Sequence, residues 1–101
     1  MEISKIQEKI SEVSKNYEKV CSINRDDDWY ILKLQEEIGE LIQHYLSFTC
    51  RGRNRGKTQD EIKKGFEDEL ADVIGQTLLI ADFHKIDIEK ALERKWFKYL
   101  K

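Results

Sequence analysis

Apolar residues recur in steps of three and four through the first twenty positions of this chain. The members of this stripe are Ile3, Ile6, Ile10, Val13, Tyr17 and Val20. Such spacing places side chains on one face of an α-helix, and the sequence contains no proline that would interrupt one. The pattern therefore predicts a first helix from about Ile3 to Val20.

Three further helices are predicted at residues 28–49, at residues 59–83 and after Asp87. The second has an apolar stripe of the same period, expected to face the core: Ile31, Leu34, Ile38, Leu41, Tyr45 and Phe48. The last helix is expected to carry Ile88, Leu92, Lys95, Trp96 and Tyr99. Four helices joined by short loops favour an all-α four-helix bundle.

Polar residues mark where these helices should begin. Asp26 and Asp27 can cap and complement the start of the second helix, after a loop predicted at residues 21–25. Thr58 and Glu61 have the spacing of a capping box at the start of the third helix. Asp87 is the predicted N-cap of the last helix.

Length and composition limit the classes of protein to consider. The 101 residues suit one domain spanning residues 1–101, and a net charge of -2 argues against a general nucleic-acid-binding protein. We expect a cytoplasmic protein without a membrane partner, because no apolar run resembles a signal peptide or is long enough to cross a bilayer. Cys21 and Cys50 lack metal-site spacing and are expected to be buried thiols in a reducing compartment.

A cluster of three glutamates lies in the second predicted helix, at Glu36, Glu37 and Glu40. A helix turns roughly 100° per residue, so the three lie together on a face well away from the apolar stripe. Trp29 and Lys33 fall on the same face. This face could be a solvated outer surface or a ligand site, and Trp29 could stack on a base or belong to the core or a subunit interface.

A second acidic cluster, Glu69 and Asp72, lies in the third predicted helix. Residues 70–81 are apolar on nearly every side, which is typical of a buried helix. A buried carboxylate at Asp72 would need a cation, a proton or hydrogen bonds. Metal ligation and an ion pair with a lysine or arginine both satisfy that need.

The five carboxylates of the two clusters would repel one another across a helix pair unless cations lay between them. Because all the candidate ligands are oxygens, the expected metal is Mg²⁺ or Mn²⁺ rather than zinc or iron. A ferritin-like di-iron bundle needs Glu-x-x-His motifs. Leu41 and Ala81 stand three residues before His44 and His84, which disfavours that alternative.

Glycines and alternating cations predict a loop at residues 51–57. Its basic residues are Arg51, Arg53, Arg55 and Lys57. Arginine suits bidentate contacts to phosphate, so these side chains could hold the phosphates of a substrate. They could equally lie in solvent.

The two acidic clusters together resemble the paired signature of the MazG-like proteins, within the all-α nucleoside triphosphate pyrophosphohydrolase superfamily. That signature is Glu-Glu-x-x-Glu, a helix connection, and then Glu-x-x-Asp. Here it reads Glu36-Glu37-Ile-Gly-Glu40 and Glu69-Leu-Ala-Asp72. The resemblance extends from about Trp29 to the C-terminus.

The resemblance implies Mg²⁺-dependent cleavage of a (d)NTP to a (d)NMP and pyrophosphate, including a role in cleansing the nucleotide pool. It implies that Glu37, Glu40, Glu69 and Asp72 are the metal ligands. It also implies that Glu36 binds metal or orients the attacking water as general base.

The last predicted helix departs from the family pattern. Lys95 matches a position where the family often has a phosphate-facing lysine. The family often continues with an asparagine and more basic residues, whereas this chain continues with Trp-Phe-Lys-Tyr-Leu-Lys at residues 96–101. The resemblance therefore implies a phosphate contact at Lys95 without its usual neighbours.

Two alternatives stay open. Phosphoribosyl-ATP pyrophosphohydrolases share the metal ligands but usually continue from the second motif with a Leu-Leu-Tyr-His-like run, which Val73-Ile-Gly-Gln76 does not match. The other is a non-enzymatic helical dimerisation module. Under each of these hypotheses, the apolar third helix predicts a surface that binds a second copy of the chain, in a homodimer or homotetramer.

Overall fold

The computed structural model describes residues 2–21 and 25–101. Within them the chain is all-helical, as predicted, with four α-helices and no strand. The helices are α1 (Ile3–Cys21), α2 (Asp27–Phe48), α3 (Gln59–Phe83) and α4 (Ile88–Lys95), followed by a 3₁₀ turn at Phe97–Tyr99. No described helix is both long and apolar enough to span a membrane.

The predicted capping residues occupy the predicted positions. The Asp26 side chain accepts a hydrogen bond from the Trp29 backbone N–H at 2.8 Å. Thr58 and Glu61 form a reciprocal capping box, with bonds of 3.2 and 3.0 Å. Asp87 accepts from the backbone N–H of the residue three positions later. These caps satisfy N–H groups that a helix leaves unpaired, which explains why three helix starts are readable from the sequence.

Helices α2 and α3 form an antiparallel pair that positions the acidic clusters. Contacts between aromatic side chains link α2 to α3 at both ends of the pair. Phe66 lies 5.1 Å from Phe48 at one end, and Tyr30 lies 4.6 Å from Phe83 at the other. Helix α1 packs mainly against α3, and α4 touches α1.

The core of the single chain is smaller than the apolar stripes predict. Among the residues that the structure describes, its buried apolar side chains are Ile62, Leu78 and Ala81. Ile31 of the α2 stripe is 54% exposed, and Ile74 of α3 is 60% exposed. The prediction that α3 is buried on nearly every side is therefore wrong for one chain, because α2 and α1 cover only part of its circumference.

Two local predictions also need correction, and a third falls in part outside the described residues. Cys21 and Cys50 are free and exposed rather than buried. The last α-helix ends at Lys95, so Trp96 and Tyr99 lie beyond it. Residues 22–24 of the predicted loop lie outside the described residues.

Candidate functional site

Three carboxylates from the two acidic clusters meet between α2 and α3. Glu37, Glu40 and Glu69 each offer one oxygen, and these oxygens lie within 4.8 Å of one another. Glu37 and Glu40 are three residues apart on one helix and therefore share a face. The antiparallel register brings Glu69 of α3 opposite them. We call these three residues the carboxylate cluster.

Burial is deepest at Glu37 and Glu69, whose side chains are each 13% exposed. Each has a buried Oε2 atom without a hydrogen-bond partner. Burial is the main cause that raises the pKa of each carboxyl, and the negative charges of Glu40 and Asp72 raise it further. The cluster thus holds more negative charge than its protein surroundings compensate.

Asp72 is exposed, so the prediction that its carboxylate is buried was wrong. The carboxylates that are largely buried are those of Glu37 and Glu69. Asp72 lines the cavity between α1, α2 and α3 together with Glu37. It still acts electrostatically on the carboxylate cluster, since its charge raises the pKa of both Glu37 and Glu69. It lies at the edge of the cluster rather than among its closely spaced oxygens.

From its angular position, the acidic face of α2 was predicted to lie away from the side of the helix that packs against other helices. Part of that face instead lies beside the packing side. Glu37 and Glu40 border the α2–α3 contact and are half-buried. Glu36 points outward, with its side chain 58% exposed. The Lys33 Nζ lies 2.9 Å from Glu36 and 3.8 Å from Glu37, and the hydrogen bond with Glu36 raises the pKa of Lys33.

His44 closes the other end of the carboxylate cluster. Its Nδ1 donates to the Glu40 carbonyl at 2.9 Å and lies 3.9 Å from Oε1 of Glu69. Gly65 leaves room for the ring, because a Cβ at that position would lie 2.9 Å from His44 Cδ2. The imidazole therefore separates the cluster from the α2–α3 loop.

A cavity of about 650 Å³ opens on the α1 side of the cluster. We call it the tryptophan cavity; its lining includes Tyr17, Arg25, Trp29, Lys33, Glu37 and Asp72. The predicted binding residues Trp29 and Lys33 therefore lie beside the carboxylates. The cavity joins an apolar and aromatic wall to a wall of carboxylates.

Arg25 is a component of this cavity that sequence reasoning missed. Its side chain is 4% exposed, and its guanidinium stacks 4.4 Å from the centre of the Trp29 ring. Its Nη1 donates to the Ser14 hydroxyl, and its Nε lies 3.7 Å from Glu18 with no hydrogen-bond partner. A single cation in a loop carries no periodic signal, so only the structure reveals its burial.

The basic loop lines a second cavity, of about 310 Å³, at the C-terminal end of α2. We call it the loop cavity; its lining includes His44, Ser47, Arg53, Arg55, Lys57 and Gly65. Arg51 does not line it, because its guanidinium bonds to Thr49 and lies 5.3 Å from the Tyr45 ring. Three of the four predicted phosphate-binding cations are thus together.

Lys95 is the remaining predicted phosphate contact. It is the last residue of α4, is exposed, and lines neither of the two cavities. The single chain does not bring Lys95 to the carboxylate cluster.

No protein-family model, curated protein or solved structure matches this chain. The residues themselves can still be tested for their fit to a metal. Three converging carboxylates, two of them with buried unpartnered oxygens, form a set of hard oxygen donors. Such a set fits Mg²⁺ or Mn²⁺ rather than the softer metals.

Proposed function

We propose that the protein is a Mg²⁺-dependent nucleoside triphosphate pyrophosphohydrolase that cleaves a (d)NTP to the (d)NMP and pyrophosphate. The observation that carries the proposal is the meeting of Glu37, Glu40 and Glu69 with two buried, unpartnered oxygens. The resemblance of the paired acidic motifs to MazG-like proteins supports the same reaction. A role in nucleotide-pool housecleaning belongs to this proposal.

The metal ligands would be Glu37, Glu40 and Glu69, with Asp72 at the edge of the site. Bound there, Mg²⁺ would offset the phosphate charge and lower the pKa of a bound water. Two carboxylates whose pKa is raised by burial, and further by neighbouring negative charges, gain most from such a cation, because its charge favours their ionised state.

The hydrolysis adds a water oxygen to one phosphorus of the α–β anhydride, and the bridging oxygen leaves with the other phosphate. The water proton passes to a base, for which we propose Glu36 on α2. In the structure the Glu36 carboxylate is paired with Lys33. That ion pair would have to exchange before Glu36 could reach the water, and Lys33 would then be free to contact a phosphate.

Trp29 would contact the base of the nucleotide from the tryptophan cavity, and the basic loop would contact the phosphates. An aromatic surface next to a carboxylate site suits a nucleotide, whose base stacks while its phosphates meet cations and metal. The cavity is adjacent to both Glu37 and Asp72, so a nucleoside seated there has its phosphates near the cluster.

Assembly into a homodimer or homotetramer is part of the proposal. Large apolar side chains of α2 and α3 lie outside the small core, among them Ile31, Ile42 and Ile74, each at least half exposed. Full burial of an exposed isoleucine is worth about 1.5–3 kcal/mol, so covering the exposed half of each of these side chains against a second copy would contribute about half of that. Sedimentation equilibrium showing only monomer at micromolar concentration would contradict this.

A nucleotide panel tests the reaction. Purified protein is incubated with canonical and modified NTPs, with Mg²⁺ or with EDTA, and the products are separated by ion exchange. We expect NMP and pyrophosphate with Mg²⁺ and no turnover with EDTA. NDP and inorganic phosphate as main products, or no hydrolysis of any nucleotide, would overturn the proposal in favour of another reaction or of a non-enzymatic helical module.

A further inference from the structure

The loop cavity lies one helical turn beyond the carboxylate cluster on both helices. His44 follows Glu40 by four residues on α2, and Gly65 precedes Glu69 by four on α3. Four residues correspond to about 6 Å along a helix axis. Because His44 lines the cavity and also lies 3.9 Å from Glu69, the cavity and the cluster are neighbours.

The backbone of the basic loop is held by hydrogen bonds to the end of α2. The Arg51 N–H donates to the Leu46 carbonyl at 2.7 Å, and the Ser47 hydroxyl donates to the Arg53 carbonyl at 2.8 Å. A Cβ on Gly52 would lie 3.1 Å from the Ser47 nitrogen, so glycine permits this close approach. The cations of the loop are therefore carried on a backbone that hydrogen bonds hold against the end of α2.

The cavity has an excess of positive charge. Among residues 2–21 and 25–101, Arg53, Arg55 and Lys57 form no ion pair. The acidic residue in the lining, Glu61, accepts a hydrogen bond from the Thr58 N–H, and the nearby charge of Lys57 helps to lower its pKa. Three cations and one carboxylate around one cavity leave a net positive charge, which suits a ligand with several negative charges, and arginine favours phosphate.

We infer that the loop cavity holds the terminal phosphates of the substrate, which makes the enzyme selective for chains of three or more phosphates. This inference rests on the proposed function. The nucleoside would occupy the tryptophan cavity and the scissile α–β linkage would lie at the carboxylate cluster. The β and γ phosphates, the future pyrophosphate, would pass His44 and meet Arg53, Arg55 and Lys57. A nucleoside diphosphate would reach this cavity with one phosphate fewer and bind more weakly.

Calorimetric titration with inorganic tripolyphosphate tests the site independently of turnover. The test variant is Arg53→Gln/Arg55→Gln/Lys57→Gln. The control is Lys63→Gln/Lys64→Gln/Lys90→Gln, which removes the same charge from exposed helix positions. Circular dichroism establishes that both variants keep the helical content of the wild type. We expect the Kd of tripolyphosphate to rise at least about 10-fold in the loop variant and less than about 3-fold in the control. Equal weakening in both variants, as expected for a solvated loop, would overturn the inference.

Kinetics separate this inference from the proposed function. With a hydrolysed NTP, the loop variant should show a higher KM and weaker product inhibition by pyrophosphate, while the control keeps both values. NTP hydrolysis with unchanged KM and pyrophosphate inhibition in the loop variant would overturn the inference and leave the proposed function intact. Loop-dependent tripolyphosphate binding in a protein that hydrolyses no nucleotide would keep the anion site and reject the function.

Discussion

The carboxylates of Glu37 and Glu69 face each other from two antiparallel helices, and each contains a buried oxygen without a hydrogen-bond partner. Burial and the neighbouring negative charges both disfavour the ionised state, and together they raise the pKa of both carboxyls. Buried carboxylates with raised pKa values are expected where a ligand supplies a compensating positive charge.

Glu40→Gln and Asp72→Asn should each remove most of the activity. We expect kcat/KM to fall by more than about 100-fold, since even the outer partners of metal ligands cost about 10–100-fold. The metal-free variants should melt no lower than the wild type, because each substitution relieves repulsion, while the rise in Tm on adding Mg²⁺ should shrink. Unchanged turnover together with an unchanged Mg²⁺ shift would remove both residues from the site.

The stability of the metal-free protein should fall as the pH rises above 4.5, the ordinary pKa of a glutamate side chain. Folding raises the pKa of Glu37 and Glu69, so the folded chain binds more protons than the unfolded chain between the ordinary and raised values. The stability that these two groups contribute is therefore fully present below the ordinary pKa. It is lost as the pH rises through the raised pKa of the folded protein. Chemical denaturation from about pH 4 to about pH 8 measures the effect.

Two controls isolate this dependence from other titrating groups. Glu37→Gln should flatten the fall, and saturating Mg²⁺ should abolish it in the wild type. The capping carboxyl of Glu61 acts in the opposite sense, because its hydrogen bonds with Thr58 lower its pKa and its contribution is lost as the pH falls. An identical pH profile for the wild type and Glu37→Gln would contradict the account.

Much of the fold could be predicted from the sequence because it depends on local chemistry. The limits of α3 follow from the capping box at Thr58 and Glu61 and from apolar spacing. The degree of burial of each carboxylate could not be predicted from the sequence, because it depends on how much of α3 the other helices cover. That is why Asp72 was expected to be buried, whereas Glu69, one turn away, is the buried carboxylate.

The two cavities were similarly beyond sequence reasoning. The fold-back of the basic loop depends on a hydroxyl contact from Ser47 and a close approach at Gly52, neither of which has a sequence pattern. Arg25 reaches the tryptophan cavity by crossing from the start of α2 to α1. Both features join segments whose proximity only the tertiary structure establishes.

Gly65→Ala should destabilise the protein by about 1–3 kcal/mol, the usual cost of overpacking. The added Cβ would lie 2.9 Å from the His44 ring and would displace it from Glu69. Gly39→Ala is the matched control in α2, where nothing lies within 4 Å of the new Cβ. There we expect a gain of about 0.5–1 kcal/mol from helix propensity. Denaturant titration measures the free energy of unfolding of both variants. Equal changes in the two would mean that the close packing of Gly65 does not hold His44 in place.

Arg25→Ala should lower stability by about 1–2 kcal/mol through loss of the cation–π contact and of the packing of the side chain. In a Trp96→Phe background, the fluorescence of Trp29 should also change, because the guanidinium no longer covers its ring. Arg25→Lys should recover the charge but not the planar stack. Unaltered emission and melting in Arg25→Ala would show that the stack contributes nothing in solution.

The most direct test of the proposed metal site is Mn²⁺ binding measured by electron paramagnetic resonance, which detects the free ion. Wild-type protein should reduce the free Mn²⁺ signal, and excess Mg²⁺ should restore it by competition. Glu40→Gln, with the same helical content by circular dichroism, should bind Mn²⁺ at least about 10-fold more weakly. A free Mn²⁺ signal that the wild type leaves undiminished, or that both proteins reduce equally, would contradict a metal site at Glu37, Glu40 and Glu69.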